Sequence, residues 1–124
     1  MTTEETHLKK YRNFKKEGDK AQFVPSKIEN YFLAAFHLIE TVLATKNIHS
    51  NVHKRLFQVI KSHEDIFAGT AFSIANSFRR IERDLRPGVM YGASENGRVL
   101  KEVLHEFETI ETLCFGILEG KRNE

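Results

Sequence analysis

Apolar residues recur at spacings of three and four over two long stretches of this chain, and this periodicity constrains the fold more than any other feature. A spacing of three and four places side chains on one face of an α-helix. The first stretch comprises Ile28, Tyr31, Phe32, Ala35, Leu38, Ile39, Val42 and Leu43. The second comprises Val99, Val103, Phe107, Ile110, Cys114 and Ile117. Only two prolines and seven glycines occur in 124 residues, too few for the frequent turns of an all-β protein.

Start and stop signals divide the chain into four or five predicted helices. Serine is a good N-cap, proline suits a first turn, and the residue before a proline is disfavoured in a helix. The first predicted helix runs from about Thr3 to Lys16, with a stop at Gly18, and the second from Pro25-Ser26 to about Lys46-Asn47. The third runs from Ser50 to about His63, and the fourth from Gly69-Thr70 to Arg86-Pro87. The fifth begins at Ser94.

Short connections between these helices favour antiparallel neighbours, so we predict an all-α, up-and-down bundle forming a single domain over residues 1–124. The residues expected to face inward on the third and fourth helices are Val52, Leu56, Val59, Ile60, His63, Phe72, Ala75, Phe78, Ile81 and Leu85. Leu100, Leu104, Leu113 and Leu118 widen the face of the last helix. The last two helices are too apolar for a small bundle to cover, so we expect a homodimer.

The location of the protein is predicted from what the sequence lacks. The longest nearly apolar run, Tyr31 to Ile39, falls short of the about 20 residues that a membrane helix needs. No secretory signal is visible, which favours the cytoplasm.

Cys114 is the single cysteine, so neither an internal disulfide nor a multi-thiolate zinc site can form. It lies on the apolar stripe and should be an inert core residue.

The histidines give little support for metal or acid–base chemistry. His49 and His53 are four residues apart, but Ser50 is expected to start a helix between them, and there is no HExxH motif. We therefore predict no metal site and no cofactor. His37 is expected to be a packing residue, and His105 a surface residue. Nucleophile-elbow, dinucleotide and P-loop glycine motifs are all absent from the sequence.

Arginines dominate the end of the fourth predicted helix. Arg79, Arg83 and Arg86 have the spacing that lines three side chains on one helical face. The planar guanidinium group suits phosphate because it can donate two parallel hydrogen bonds. For Arg79 and Arg80 the alternative is pairing with carboxylates of the same helix.

Arg86 stands at the helix end, beside a Pro-Gly loop that carries Tyr91. Its side chain is either held there for a ligand or bonded to the last carbonyls of the helix. The residues alone leave both readings open.

Three segments together resemble the HEPN superfamily of small helical domains. They are Phe32-Leu33-Ala34-Ala35-Phe36-His37, Ser50-Asn51-Val52-His53, and Arg86-Pro87-Gly88-Val89-Met90-Tyr91-Gly92. The last is similar to an Arg-x4-Tyr-Gly motif of an uncharacterised prokaryotic branch. The resemblance implies a bundle of four to five helices that is usually dimeric. Active members cleave RNA without metal through Arg-x4-6-His, and many are toxins paired with a nucleotidyltransferase-like antitoxin.

The match to the active motif is incomplete. Arg86 matches the arginine, but Tyr91 stands where active members have histidine. A phenol is a poor proton acceptor near neutral pH, because its usual pKa is about 10. The resemblance implies RNA or nucleotide binding, with or without a residual ribonuclease activity. The alternative is a non-catalytic interaction module that docks a nucleotidyltransferase-like or other partner. The candidate ligand-binding residues are Arg86, Tyr91, Arg83 and His53.

Overall fold

The computed structural model describes residues 3–50, 52–87 and 96–122, and this part of the chain is helical with no strand. The α-helices are α1 (Thr3–Lys20), α2 (Val24–Ala44), α3 (Leu56–Ser62), α4 (Ala71–Arg79) and α5 (Asn96–Arg122). Two short 3₁₀ helices, His53–Arg55 and Glu64–Phe67, flank α3, and a π-helical segment, Arg80–Leu85, continues α4. The prediction of an all-α, up-and-down bundle is confirmed.

Helix α2 is the centre of the bundle. Helices α1 and α5 both pack against it, while α4 packs against α3 and α5. All eight apolar residues predicted to face inward on α2 are buried. Pro25 lies in the first turn as predicted, and Asn47 has a positive φ of 58° just after the helix. Wide apolar periodicity therefore identified the central helix, because neighbours cover it on more than one side.

Helix α1 is longer than the sequence predicted. It runs to Lys20, so Gly18 is not a stop but a buried residue of the last turn. The space for that glycine is set by the Tyr31 ring of α2, which lies directly against it. The Lys27 ammonium donates to the carbonyl oxygens of Gly18 (2.9 Å) and Asp19 (3.2 Å) at the end of α1. Contacts from α2 thus extend a helix that local signals would have ended earlier.

Ser50 does not cap α3. Its amide donates to Glu40 Oε1 at 3.0 Å, and its hydroxyl donates to the Val52 carbonyl at 2.7 Å. The chain then makes a 3₁₀ turn before α3 begins at Leu56. Val52, predicted to face inward, is 45% exposed. The predicted cap was wrong because the buried Glu40 carboxylate holds this connection instead.

The inner stripe of α4 is shifted by one position at its start. Ala75, Phe78, Ile81 and Leu85 are buried as predicted, but Phe72 is 67% exposed. Ala71, one position before Phe72, is buried instead, and Ile74 is fully buried. Arg86 keeps helical dihedral angles (φ −60°, ψ −47°), so the predicted break before Pro87 does not occur there.

Helix α5 buries five of the six residues of its predicted stripe, all except Val99, and it also buries Leu118: Val103, Phe107, Ile110, Cys114, Ile117 and Leu118. Val99, Leu100, Leu104 and Leu113 lie partly buried at the edges of that stripe. The predicted Ser94 cap lies outside the described residues. Among the described helices, none has the length and apolarity that a bilayer crossing requires.

Candidate functional site

The Arg86 side chain is held against α2 by two kinds of contact. Its Nε donates to Glu29 Oε2 at 2.6 Å and its Nη2 donates to Glu29 Oε1 at 3.1 Å, which makes a bidentate ion pair. Its guanidinium carbon lies 4.4 Å from the centre of the Phe32 ring, a cation–π arrangement. About a quarter of the Arg86 side chain is exposed (26%), so it remains accessible at the surface.

His53 approaches the same Phe32 ring from another direction. Its imidazole makes an edge contact with Phe32 at a centroid distance of 5.2 Å and a wider one with Phe36 at 6.4 Å. Its Nδ1 donates to Glu82 Oε2 at 2.8 Å. A carboxylate on one ring nitrogen fixes the tautomer and orients the other nitrogen. Glu82 therefore positions His53 as a carboxylate positions the histidine of a general acid–base pair.

We call Arg86, His53, Phe32, Glu29 and Glu82 the Arg–His cluster. Two of the four sequence-predicted site residues, Arg86 and His53, thus share one aromatic ring. Arg83 is exposed and makes none of the contacts just described. Tyr91 lies outside the described residues, so its expected place beside Arg86 stays a prediction.

The expected row of arginines on one helical face is not formed. Residues 80–85 are π-helical, and a π-turn holds more residues than the 3.6 of an α-turn, so the register changes between Arg79 and Arg86. The guanidinium of Arg79 lies 4.6 Å from the Phe57 ring of α3, whereas that of Arg86 lies on the Phe32 ring of α2. The two arginine side chains therefore contact different helices of the bundle. π-Helical turns are frequent at functional sites, and this one carries Glu82 and leads into Arg86.

Arg80 pairs with two carboxylates of α5, whereas the alternative drawn from the sequence was pairing with carboxylates of its own helix. Its Nη2 lies 3.2 Å from Glu102 Oε1 and its Nε lies 3.1 Å from Glu106 Oε2, both on α5. These residues line an open cleft of about 410 Å³ together with Arg98, Lys101 and His105. Charges of both signs line this cleft.

A second cluster of polar side chains forms where α1 crosses α2. His7 Nδ1 and His37 Nδ1 are 2.9 Å apart in a hydrogen bond, and His7 Nε2 lies 3.7 Å from Glu40 Oε2. Glu40 is fully buried, while His49 is exposed next to the pair. We call His7, His37, Glu40 and His49 the His–Glu cluster.

Burial determines the charge of the His–Glu cluster. It lowers the pKa of His7, and it lowers the pKa of His37 to about 4. Both imidazoles are therefore neutral near pH 7, so one ring donates its Nδ1–H and the other accepts it. The expectation that His37 packs inside the bundle agrees with its ring, which stacks on Phe14 at a centroid distance of 5.5 Å.

Cys114 is completely buried on α5, as expected for a core residue. Burial raises the pKa of its thiol well above the usual range, which disfavours the reactive thiolate. A nucleophilic role for Cys114 is therefore disfavoured.

Comparisons with protein-family models, with curated proteins and with solved structures give no significant match for this chain. The resemblance of its Arg-x4-Tyr-Gly and Ser-x-x-His segments to the HEPN superfamily accordingly stays a prediction.

Sequence reasoning missed three members of the Arg–His cluster. Glu29 and Glu82 are separated from their partners by 57 and 29 residues. Phe32 was identified only as a core residue, not as a ring shared by two candidate ligands. The HEPN-like segments were the one signal in the sequence that relates these residues. The first segment contains Phe32, the second contains His53, and the third begins at Arg86.

Proposed function

We propose that this protein binds RNA or a nucleotide through phosphate recognition at the Arg–His cluster. The observation that carries the proposal is the convergence of Arg86 and His53 on the Phe32 ring. The guanidinium and the imidazole contact the same ring and both side chains are partly exposed, so two residues can offer N–H donors, the groups that phosphate binding uses.

Glu29 is the natural competitor of a phosphate at this site. Its carboxylate takes two parallel N–H bonds from Arg86, which is the geometry that a phosphate would take. About a third of the Glu29 side chain is exposed (31%), so it can turn into solvent when an anion replaces it. In this proposal Glu29 preorganises the Arg86 fork and also limits its affinity for anions.

The binding test uses the untagged full chain and a fluorescein-labelled, mixed-sequence single-stranded RNA in the presence of EDTA. Fluorescence anisotropy gives the affinity at several salt concentrations. We expect affinity to fall linearly with salt on logarithmic axes, because phosphate contacts release counterions. Arg86→Ala should weaken binding by about tenfold or more, since hydrogen bonds to charged groups contribute roughly 1.5–3 kcal/mol.

Arg79→Ala is the matched control, because Arg79 is also stacked on a phenylalanine ring but faces α3. It should leave the affinity close to that of the wild type. Glu29→Gln should strengthen binding by removing the competing charge, while the glutamine still fills the same space. Equal losses in Arg86→Ala and Arg79→Ala, or no RNA affinity in the wild type, would refute the proposal.

Cleavage is a separate outcome of the same experiment. His53 with Glu82 has the composition of an oriented acid–base pair, so the RNA recovered after binding is run on a denaturing gel. Cleavage in EDTA that disappears in both His53→Ala and Arg86→Ala would extend the proposal to a metal-independent ribonuclease. Binding without cleavage would restrict it to recognition.

One observation favours the second candidate function, a protein-interaction module. Phe72 on α4 is 67% exposed, with the Lys61 ammonium 5.7 Å from its ring centre. A large exposed aromatic side chain is typical of contact surfaces. In this alternative the Phe72 surface docks a second copy of the chain or a nucleotidyltransferase-like partner. Light scattering of the wild type and of Phe72→Ser tests the homodimer: a mass that halves in the variant would favour this function.

A further inference from the structure

Three potential metal ligands come together from three segments of the chain. His7 lies on α1, Glu40 on α2 and His49 in the connection after α2, yet their ligating atoms all lie within 4.8 Å of one another. We propose that His7, Glu40 and His49 form a binding site for a single zinc-class divalent metal ion.

The composition of this site is that of an open zinc centre. Two imidazoles and one carboxylate supply three ligands, which leaves a fourth position for water. The 3.7 Å between His7 Nε2 and Glu40 Oε2 is long for a hydrogen bond. It is close to the about 3.4 Å that separates two ligands of a tetrahedral zinc ion with bonds of about 2.1 Å. These two atoms are therefore spaced like ligands of a common ion.

Hydrogen bonds to neighbouring groups orient His7 and Glu40 toward the same point. The Nδ1 atom of His7 is engaged by His37 at 2.9 Å, so Nε2 is the ring nitrogen that faces Glu40. The Ser50 amide holds Glu40 Oε1 at 3.0 Å, so Oε2 is the carboxylate oxygen that faces His7. Metal-binding histidines almost always have such a partner on their other nitrogen.

Burial of Glu40 adds an energetic reason. A carboxylate in a protein interior is costly unless it is paired or coordinates a metal. Glu40 is fully buried, and the groups already described next to it are a backbone amide and an imidazole. A divalent cation at Oε2 would place a full positive charge beside this buried carboxylate.

His49 completes the site from the solvent side. It is exposed, with its ring centre 6.4 Å from that of His7. Exposed side chains change rotamer within nanoseconds. Such a rotation can bring the His49 ring to the ion and also leaves an entry path for it.

This site shares no residue with the Arg–His cluster. Glu40 follows Phe32 by eight residues, about 12 Å along α2 at 1.5 Å per residue. The RNA-binding test is carried out in EDTA, so failure of either proposal leaves the other intact.

The test is a calorimetric titration of ZnCl₂ into the untagged full chain after removal of metal with a chelator. We expect one Zn²⁺ per chain. His49→Ala should weaken binding by at least about tenfold, because even loss of an outer partner of a metal ligand costs roughly 10- to 100-fold. His49 is exposed, so this variant keeps the folded core. His105→Ala is the matched control, since His105 is an exposed histidine of α5.

Two further measurements distinguish Zn²⁺ bound at His7, Glu40 and His49 from Zn²⁺ bound to other side chains on the surface. Co²⁺ should produce the visible absorption bands of tetrahedral coordination in the wild type and lose them in His49→Ala. Zn²⁺ should also raise the melting temperature of the wild type, because an ion bound only to the folded chain stabilises it. The proposal is overturned if the wild type binds no Zn²⁺, or if His49→Ala and His105→Ala weaken binding equally.

Discussion

Replacing Gly18 with alanine should destabilise the protein although alanine is the better helix former. A Cβ at position 18 would lie 2.9 Å from Tyr31 Cε1 and 3.1 Å from Cδ1, closer than carbon atoms normally approach. The ring cannot easily retreat. Tyr31 is 5% exposed, its hydroxyl donates to Asp19 at 2.7 Å, and its ring packs on Phe107 at a centroid distance of 5.2 Å.

The magnitude follows from two opposing effects. Alanine gains up to about 1 kcal/mol over glycine inside a helix. Overpacking a buried position costs about 1–3 kcal/mol. We therefore expect Gly18→Ala to lower the free energy of unfolding by about 1 kcal/mol. Burial of the Tyr31 ring decides the sign, because the cost of displacing it exceeds the gain in helix propensity.

Gly116→Ala supplies the control, because Gly116 is an exposed residue of α5 with nothing within 4 Å of the added Cβ. It should raise stability by up to about 1 kcal/mol. Urea denaturation followed by circular dichroism measures both variants, and the expected gap between them is about 2 kcal/mol. If Gly18→Ala is as stable as Gly116→Ala, the packing of α1 against Tyr31 described above is wrong.

Two further predictions concern residues of the α4 and α5 stripes. Phe78→Ala should cost about 3–5 kcal/mol, because Phe78 is fully buried, whereas Phe72→Ala should stay within about 0.5 kcal/mol because Phe72 is 67% exposed. Equal losses in urea denaturation would show that the α4 register is wrong. Cys114 should resist a thiol-specific reagent such as DTNB in the native state and react in denaturant, because burial disfavours its thiolate. Fast labelling of the native protein would contradict the buried position of Cys114.

The main helical faces could be predicted from the sequence alone. The stripes around Ile39 on α2 and Ile110 on α5 are buried as their spacing indicated. The apolar spacing is visible in the sequence because every turn of a long packed helix must bury a side chain. Helix ends were predicted less well. Gly18 did not end α1 and Ser50 did not cap α3, since both are held by residues of α2.

The residues of the candidate sites likewise divide into those that the sequence identified and those that only the structure revealed. Arg86 and His53 could be identified as candidates by residue type, by their positions near predicted helix ends and by the HEPN-like segments. Their partners Glu29 and Glu82 could not, because nothing in the local sequence relates residues separated by 57 and 29 positions.

The metal proposal contains the largest departure from sequence reasoning. His49 was weighed against His53, its neighbour four residues on, and metal binding was not predicted. The structure instead places His49 beside His7 and Glu40. Local spacing determined that this chain is helical and which faces of α2 and α5 are buried, because side-chain direction repeats with the helical turn. Packing of one helix on another decided which charged and imidazole groups meet, because those contacts depend on crossing positions that no single helix specifies.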